Sequence, residues 1–142
     1  MRVMAIDYGD ARTGVAISDP SGLLTGFTTV IHSRKRETVL AQLAALCKER
    51  GADRLVMGFP RNMDGTEGPR AALYREFAAS LEKAAGMPVR LWDERRTTVE
   101  AHQILSCQNY HGKKRKNTVD AVAASLILEG YLGYLRNHPE EV

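Results

Sequence analysis

Three acidic positions in this chain stand where a carboxylate has to be accounted for. Asp7 lies near the end of an apolar run, residues 3–8, that reads as a buried strand. A carboxylate there must be hydrogen-bonded, neutralised or bound to a cation. Gly9 and Gly14 follow, so backbone can approach something closely; the plainer alternative is a turn-forming Asp in a hairpin. Asp93 and Glu94 follow a second apolar stretch, Val89-Arg90-Leu91-Trp92. The side-chain period of two puts those acids on opposite faces, so only one can join a shared site, and the spacing leaves open which. The plainer alternative pairs Glu94 with Arg95 or Arg96 on the surface. Asp120 falls in the first turn of the last predicted helix, where Asn117 could cap and an acid suits the positive helix end. Yet Asp120, Ala123, Ala124 and Ile127 share one helical stripe, and the alanines would let that helix sit close to a sheet. Two strand ends and a helix start would make an oxygen-rich cation site, suited to Mg²⁺ or Mn²⁺ and not to zinc. Two such ions about 3.5–4 Å apart can activate water and stabilise the leaving oxygen in phosphodiester cleavage.

Other chemistries find little support. His32, His102, His111 and His138 show no HExxH or i, i+4 pairing, and Cys47 and Cys107 have neither CxxC spacing nor a nucleophile context. No GxxxxGK[ST] loop is present. A polar, turn-rich stretch over residues 62–69 follows the strand ending at Phe59. It is either a substrate-contacting loop at the sheet's carboxyl end or a plain turn into the next helix.

The elements that must hold these acids alternate along the chain. Strands are expected over 3–8, 14–18 and 26–31, joined by Gly and Asp-Pro turns. Val39, Leu40, Leu43, Leu46 and Cys47 then repeat at helical spacing, and residues 54–59 form a strand stopped by Pro60. Leu73, Phe77, Leu81 and Ala84 mark a helix over 71–85, and 89–92 is the next strand. Thr97-Thr98-Val99-Glu100 fits a capping box that opens a further helix. A polar, basic segment over 106–117 leads into the last helix, 118–135, with Val119, Val122, Leu126 and Tyr134 on one stripe and residues 136–142 as a loose tail. Early hairpins followed by βα units predict an α/β fold with a mixed sheet flanked by helices.

At 142 residues, 44% hydrophobic and 26% charged, the chain is expected to form a single domain, 1–142, with an ordinary core. No run reaches 18 apolar residues, which excludes a membrane-spanning helix. An acid at position 7 argues against a signal peptide, and unpaired cysteines fit a reducing cytoplasm. The net charge of +3 says little, but Arg34-Lys35-Arg36 and Lys113-Lys114-Arg115-Lys116 concentrate positive charge where a polyanion could bind. Solvated loops are the plainer reading of both runs.

Four blocks together resemble one family: Asp7-Tyr8-Gly9 through Arg12-Thr13-Gly14-Val15-Ala16; Gly58-Phe59-Pro60-Arg61-Asn62-Met63-Asp64-Gly65-Thr66; Asp93-Glu94-Arg95-Arg96-Thr97-Thr98; and Lys113-Lys114-Arg115-Lys116 through Asp120-Ala121-Val122-Ala123-Ala124. In this order and over nearly the whole chain, they resemble the YqgF/RuvX family, described as Holliday-junction-resolvase-like and as pre-16S rRNA nucleases. The resemblance implies an RNase H-like fold, a five-stranded mixed sheet with helices on both faces. It implies catalytic, metal-holding roles for Asp7, Glu94 and Asp120, with Asp93 as the alternative to Glu94, and Mg²⁺ or Mn²⁺, as two ions bound with substrate. Arg12, Asn62, Arg95, Arg96, Lys113, Lys114, Arg115 and Lys116 are then the expected nucleic-acid contacts. Arg96 and Phe59 depart from the family pattern, where leucines are usual.

The expected function is a metal-dependent nuclease, a hydrolase acting at the 5′ end of precursor 16S rRNA in ribosome biogenesis. The preference for RNA rests on the family alone. The alternatives are a Holliday junction resolvase acting on four-way DNA, which would need a dimer, and a non-catalytic module recruiting ribosomal or transcription factors. A phosphotransferase related to sugar kinases would need a second domain. A cytoplasmic monomer or homodimer, with no membrane association, completes the expectation.

Overall fold

The computed structural model describes residues 1–22, 24–60, 68–93 and 112–141, with backbone alone for 112–118 and 141. Strands β1 (Val3–Asp7), β2 (Arg12–Ser18) and β3 (Thr25–His32) precede α1 (Arg36–Arg50). Then come β4 (Arg54–Phe59), α2 (Pro69–Ala85), β5 (Val89–Asp93) and α3 (Gly112–Asn137). The strands make one sheet in the order β3-β2-β1-β4-β5. β3, β2 and β1 run antiparallel, and β1, β4 and β5 parallel. β1 is central, which is why its residues read as an unbroken apolar run: both of its faces are covered.

Side-chain alternation sorts the apolar residues into two layers. Met4, Ile6, Val15, Ile17, Leu55 and Met57 face α1 and α2, where Leu43, Phe77 and Leu81 meet them. Val3, Ala5, Ala16 and Val56 face α3, where Ala124, Ile127, Leu128 and Tyr131 meet them. Proline at the start of α2 supplies helical φ where no amide partner is needed, and α1 ends at Gly51 in the left-handed conformation, φ 66°. Among the described residues no helix is long and apolar enough to cross a membrane.

Three expectations need correction. α3 starts at Gly112 and not near residue 118, so the backbone of Lys113, Lys114, Arg115 and Lys116 is helical and not a loop. Lys and Arg are good helix formers, and a nucleated helix propagates through them. Asp120 therefore comes eight residues into the helix, and Asn117 is inside it, not its cap. Second, the most deeply buried stripe of α3 is Ala123, Ala124, Ile127, Leu128, Tyr131, Leu132 and Leu135, whereas Val122, Leu126 and Tyr134 are only partly buried. Third, residues 136–141 are not a loose tail. The helix runs to Asn137, the His138 ring stacks on Tyr134 at 4.0 Å, and Pro139–Glu141 forms a 3-10 turn. The helix expected from Thr97 lies outside the described residues.

Candidate active site

The site builds on alternation in β1. Ile6 points to the α1/α2 layer and Ala5 to α3, so Asp7 faces α3. Asp7 pairs across the hairpin with Gly14, which lies on the same face as Ala16. At Gly14 the helix backbone lies directly against the sheet: a Cβ there would overlap the Asp120 carbonyl, 2.7 Å from its carbon and nearer still to its oxygen. Only glycine permits that approach. Asp7 and Asp120, 113 positions apart in sequence, thus flank one glycine on one face of the sheet.

Arg12 starts β2 on this same face and donates from Nε to Asp120 Oδ2 at 2.9 Å. Burial is the main influence on Asp120 and pushes its carboxyl pKa up. The hydrogen bond and charge of Arg12 oppose that rise, and the charge of His32 adds to the opposition. His32 sits directly across from Arg12 on β3. The Asp120 side chain is 19% exposed and Arg12 34%, so the pair lies at the mouth of the site and not in the core. His32 was not singled out from sequence, although β2–β3 hairpin register would have placed it beside Arg12.

On β5, Val89 and Leu91 pack toward the α1/α2 layer. Trp92 packs against the α3 layer, and Arg90 lies over the Tyr134 ring of α3. Asp93 shares the parity of Leu91, so its side chain belongs to the α1/α2 side, where it is exposed. By strand parity Asp93 stands on the face of the sheet opposite Asp7 and Asp120. Glu94, Asn62, Arg95 and Arg96 lie outside the described residues, as do the side chains of Lys113, Lys114, Arg115 and Lys116. Among the described residues, no three His, Cys, Asp or Glu side chains form a metal cluster. Carboxylates such as those of Asp7 and Asp120, on one face of the sheet, are nevertheless the hard oxygen donors that Mg²⁺ or Mn²⁺ takes.

The architecture and the chain both have relatives. A family model described as RuvX, Holliday junction resolvase, matches residues 1–134. A protein of Halothermothrix orenii named "Putative pre-16S rRNA nuclease" is 45% identical over 134 residues, covering 94% of this chain and 96% of its own. A protein of the same name from Symbiobacterium thermophilum is 40% identical over 141 residues, 99% of this chain and 98% of its own. Among solved structures, Thermus thermophilus RuvC superposes with a TM-score of 0.56 at 13% identity, covering 94% of this chain and 97% of its own. The Fowlpox virus resolvase, solved with a Holliday junction DNA substrate, gives 0.56 at 11% identity, covering 95% and 99%. At such identities the likeness concerns the fold, which is RNase H-like. The sequence matches run along the whole chain at 40–45% identity and carry more: this chain belongs to the RuvX (YqgF) family.

Proposed function

We propose that the protein is a metal-dependent nuclease that hydrolyses phosphodiester bonds in precursor 16S rRNA, at its 5′ end. The observation that carries this reading is the convergence of Asp7 and Asp120 about Gly14 on the α3 face. The placement of Asp93 on the other face supports Glu94 as the third acid. Asp7, Glu94 and Asp120 would hold Mg²⁺ or Mn²⁺. Bound with substrate, two such ions supply a polarised water and offset charge on the leaving 3′ oxygen.

The chain's own groups do the rest. Arg12 orients the Asp120 carboxylate through one N–H, and its guanidinium keeps further donors for a phosphate oxygen at the mouth of the site. Lys113, Lys114, Arg115 and Lys116, with Asn62, Arg95 and Arg96, contact the backbone of the nucleic acid and position it without reading bases. The RNA preference rests on the names of the relatives, and the proposed setting is ribosome maturation in the cytoplasm.

The test sets a precursor 16S 5′ leader beside a four-way DNA junction, with wild type, Asp7→Asn and Asp120→Asn, in Mg²⁺, Mn²⁺ or EDTA. RNA cut only by wild type with metal is expected. Junction cutting with RNA left intact replaces the substrate and predicts a dimer. Salt-dependent binding without cleavage of either overturns the nuclease and leaves a binding module that recruits ribosomal or transcription factors.

A further inference from the structure

One basic run from the sequence, Arg34-Lys35-Arg36, has no part in the reading above, and the fold divides it. Arg36 is turned to α2: its guanidinium donates to the Glu76 carbonyl at 3.0 Å and to Ser80 Oγ at 2.7 Å, and it pairs with the Glu76 carboxylate at 3.5 Å. Arg34 and Lys35 are exposed and form no ion pair among the described residues. Their turn is tied to the site. The Ser33 amide donates to the Ala11 carbonyl at 3.1 Å, joining it to the residue before Arg12, and Ser33 Oγ accepts from the Lys35 amide at 3.1 Å. His32, exposed and paired across from Arg12, immediately precedes that turn, and Arg12 in turn holds the Asp120 carboxylate.

We propose that His32, Arg34 and Lys35 form a phosphate-binding rim that carries the nucleic-acid strand away from the acidic site over the β3 edge. This rests on the nuclease reading and adds to it a second, distal phosphate contact. β3 lies two strand spacings from β1, roughly 10 Å. At about 3.4 Å per stacked nucleotide, the rim meets phosphates about three nucleotides from the scissile one. Arg12 joins the two regions, since it touches Asp120 on one side and stands across from His32 on the other. Arg34 and Lys35 supply positive charge to non-bridging oxygens, and the His32 ring supplies an N–H donor. No base edge is read, so the rim adds affinity and direction and not sequence preference.

The test is equilibrium binding of a short 5′-labelled single-stranded RNA, followed by fluorescence anisotropy across a KCl series in EDTA. Wild type is compared with an Arg34→Gln/Lys35→Gln double variant and a charge-matched Lys48→Gln/Lys83→Gln control. Lys48 and Lys83 are exposed near the far ends of α1 and α2. All four positions are on the surface, so thermal melting is expected to stay unchanged. Each lost single-strand phosphate contact lowers the slope of log K against log salt by about 0.7, so the rim variant should lose roughly 1.4 and the control close to nothing. His32→Gln in the rim variant should weaken binding at low salt further. Equal slopes for wild type and the rim variant, or equal losses in rim and control, overturn the rim while leaving the nuclease reading intact. Wild type that binds no RNA at any salt overturns both.

Discussion

At the carboxyl end of β1, two consecutive residues enter opposite worlds. Tyr8 turns to the α1/α2 layer, where its ring stacks on Phe77 at 3.8 Å and its carbonyl accepts from the Tyr74 hydroxyl at 2.6 Å. Asp7 turns to the α3 layer, where it pairs with Gly14, the residue that the Asp120 backbone approaches. The first layer is filled by large side chains such as Leu43, Phe77 and Leu81. The second has Ala5, Ala16, Ala123 and Ala124 near the site. Large side chains hold a helix off a sheet; small ones let backbones approach, and only the close approach brings a helix-borne acid to a strand-borne one. Large side chains line the first layer, and the proposed chemistry lies at the rim of the second.

The comparison breaks most sharply at the acids. Asp7→Asn should lower the turnover number at least about 10³-fold, roughly 4 kcal/mol of transition-state stabilisation, with melting temperature retained or raised. Steady-state cleavage beside a thermal melt checks both. In the opposite layer, Leu43→Ala should cost about 2–5 kcal/mol of unfolding free energy in urea, with cleavage per folded molecule unchanged. A loss of turnover there would mean that the layers are not separable. Gly14→Ala should do both kinds of damage: its Cβ pushes against the Asp120 carbonyl, costing about 1–3 kcal/mol and displacing one acid from the other. Cleavage that survives this substitution would show that the helix is free to shift.

The smallest effect is on pH. The Asp120 carboxyl is raised from 3.8 in the folded chain, chiefly by burial. The protonated form is then favoured by folding, so this contribution is full below the unfolded value and is lost as pH rises through the folded one. Unfolding free energy measured without metal should decline over that window for wild type, and Asp120→Asn should flatten the decline.

Much of this molecule was legible before any coordinates. The β4 strand ends at Phe59 as its apolar run and Pro60 predict, and β5 follows Val89-Arg90-Leu91-Trp92 with Asp93 added. The stripe of Asp120, Ala123, Ala124 and Ile127 does turn inward: both alanines and Ile127 are fully or almost fully buried. The start of α3 was not legible, because Lys and Arg serve equally well in a polar loop and in a helix turn. Period two had already separated Asp93 from Glu94. Trp92 on the α3 layer and Leu91 on the other give that period its direction, with Asp93 on the side of Leu91.

Composition and periodicity by themselves determined the α/β order, the apolar strands and the unusual carboxylates, because burial patterns repeat locally along the chain. The approach of the Asp120 backbone to Gly14, the partner of Asp7, the Arg12 ion pair across 108 positions and the split of the Arg34-Lys35-Arg36 run were decided only by tertiary structure. Each depends on how closely two distant backbones approach, and that distance is set by side-chain volume at Gly14 and the alanines, which no local pattern encodes.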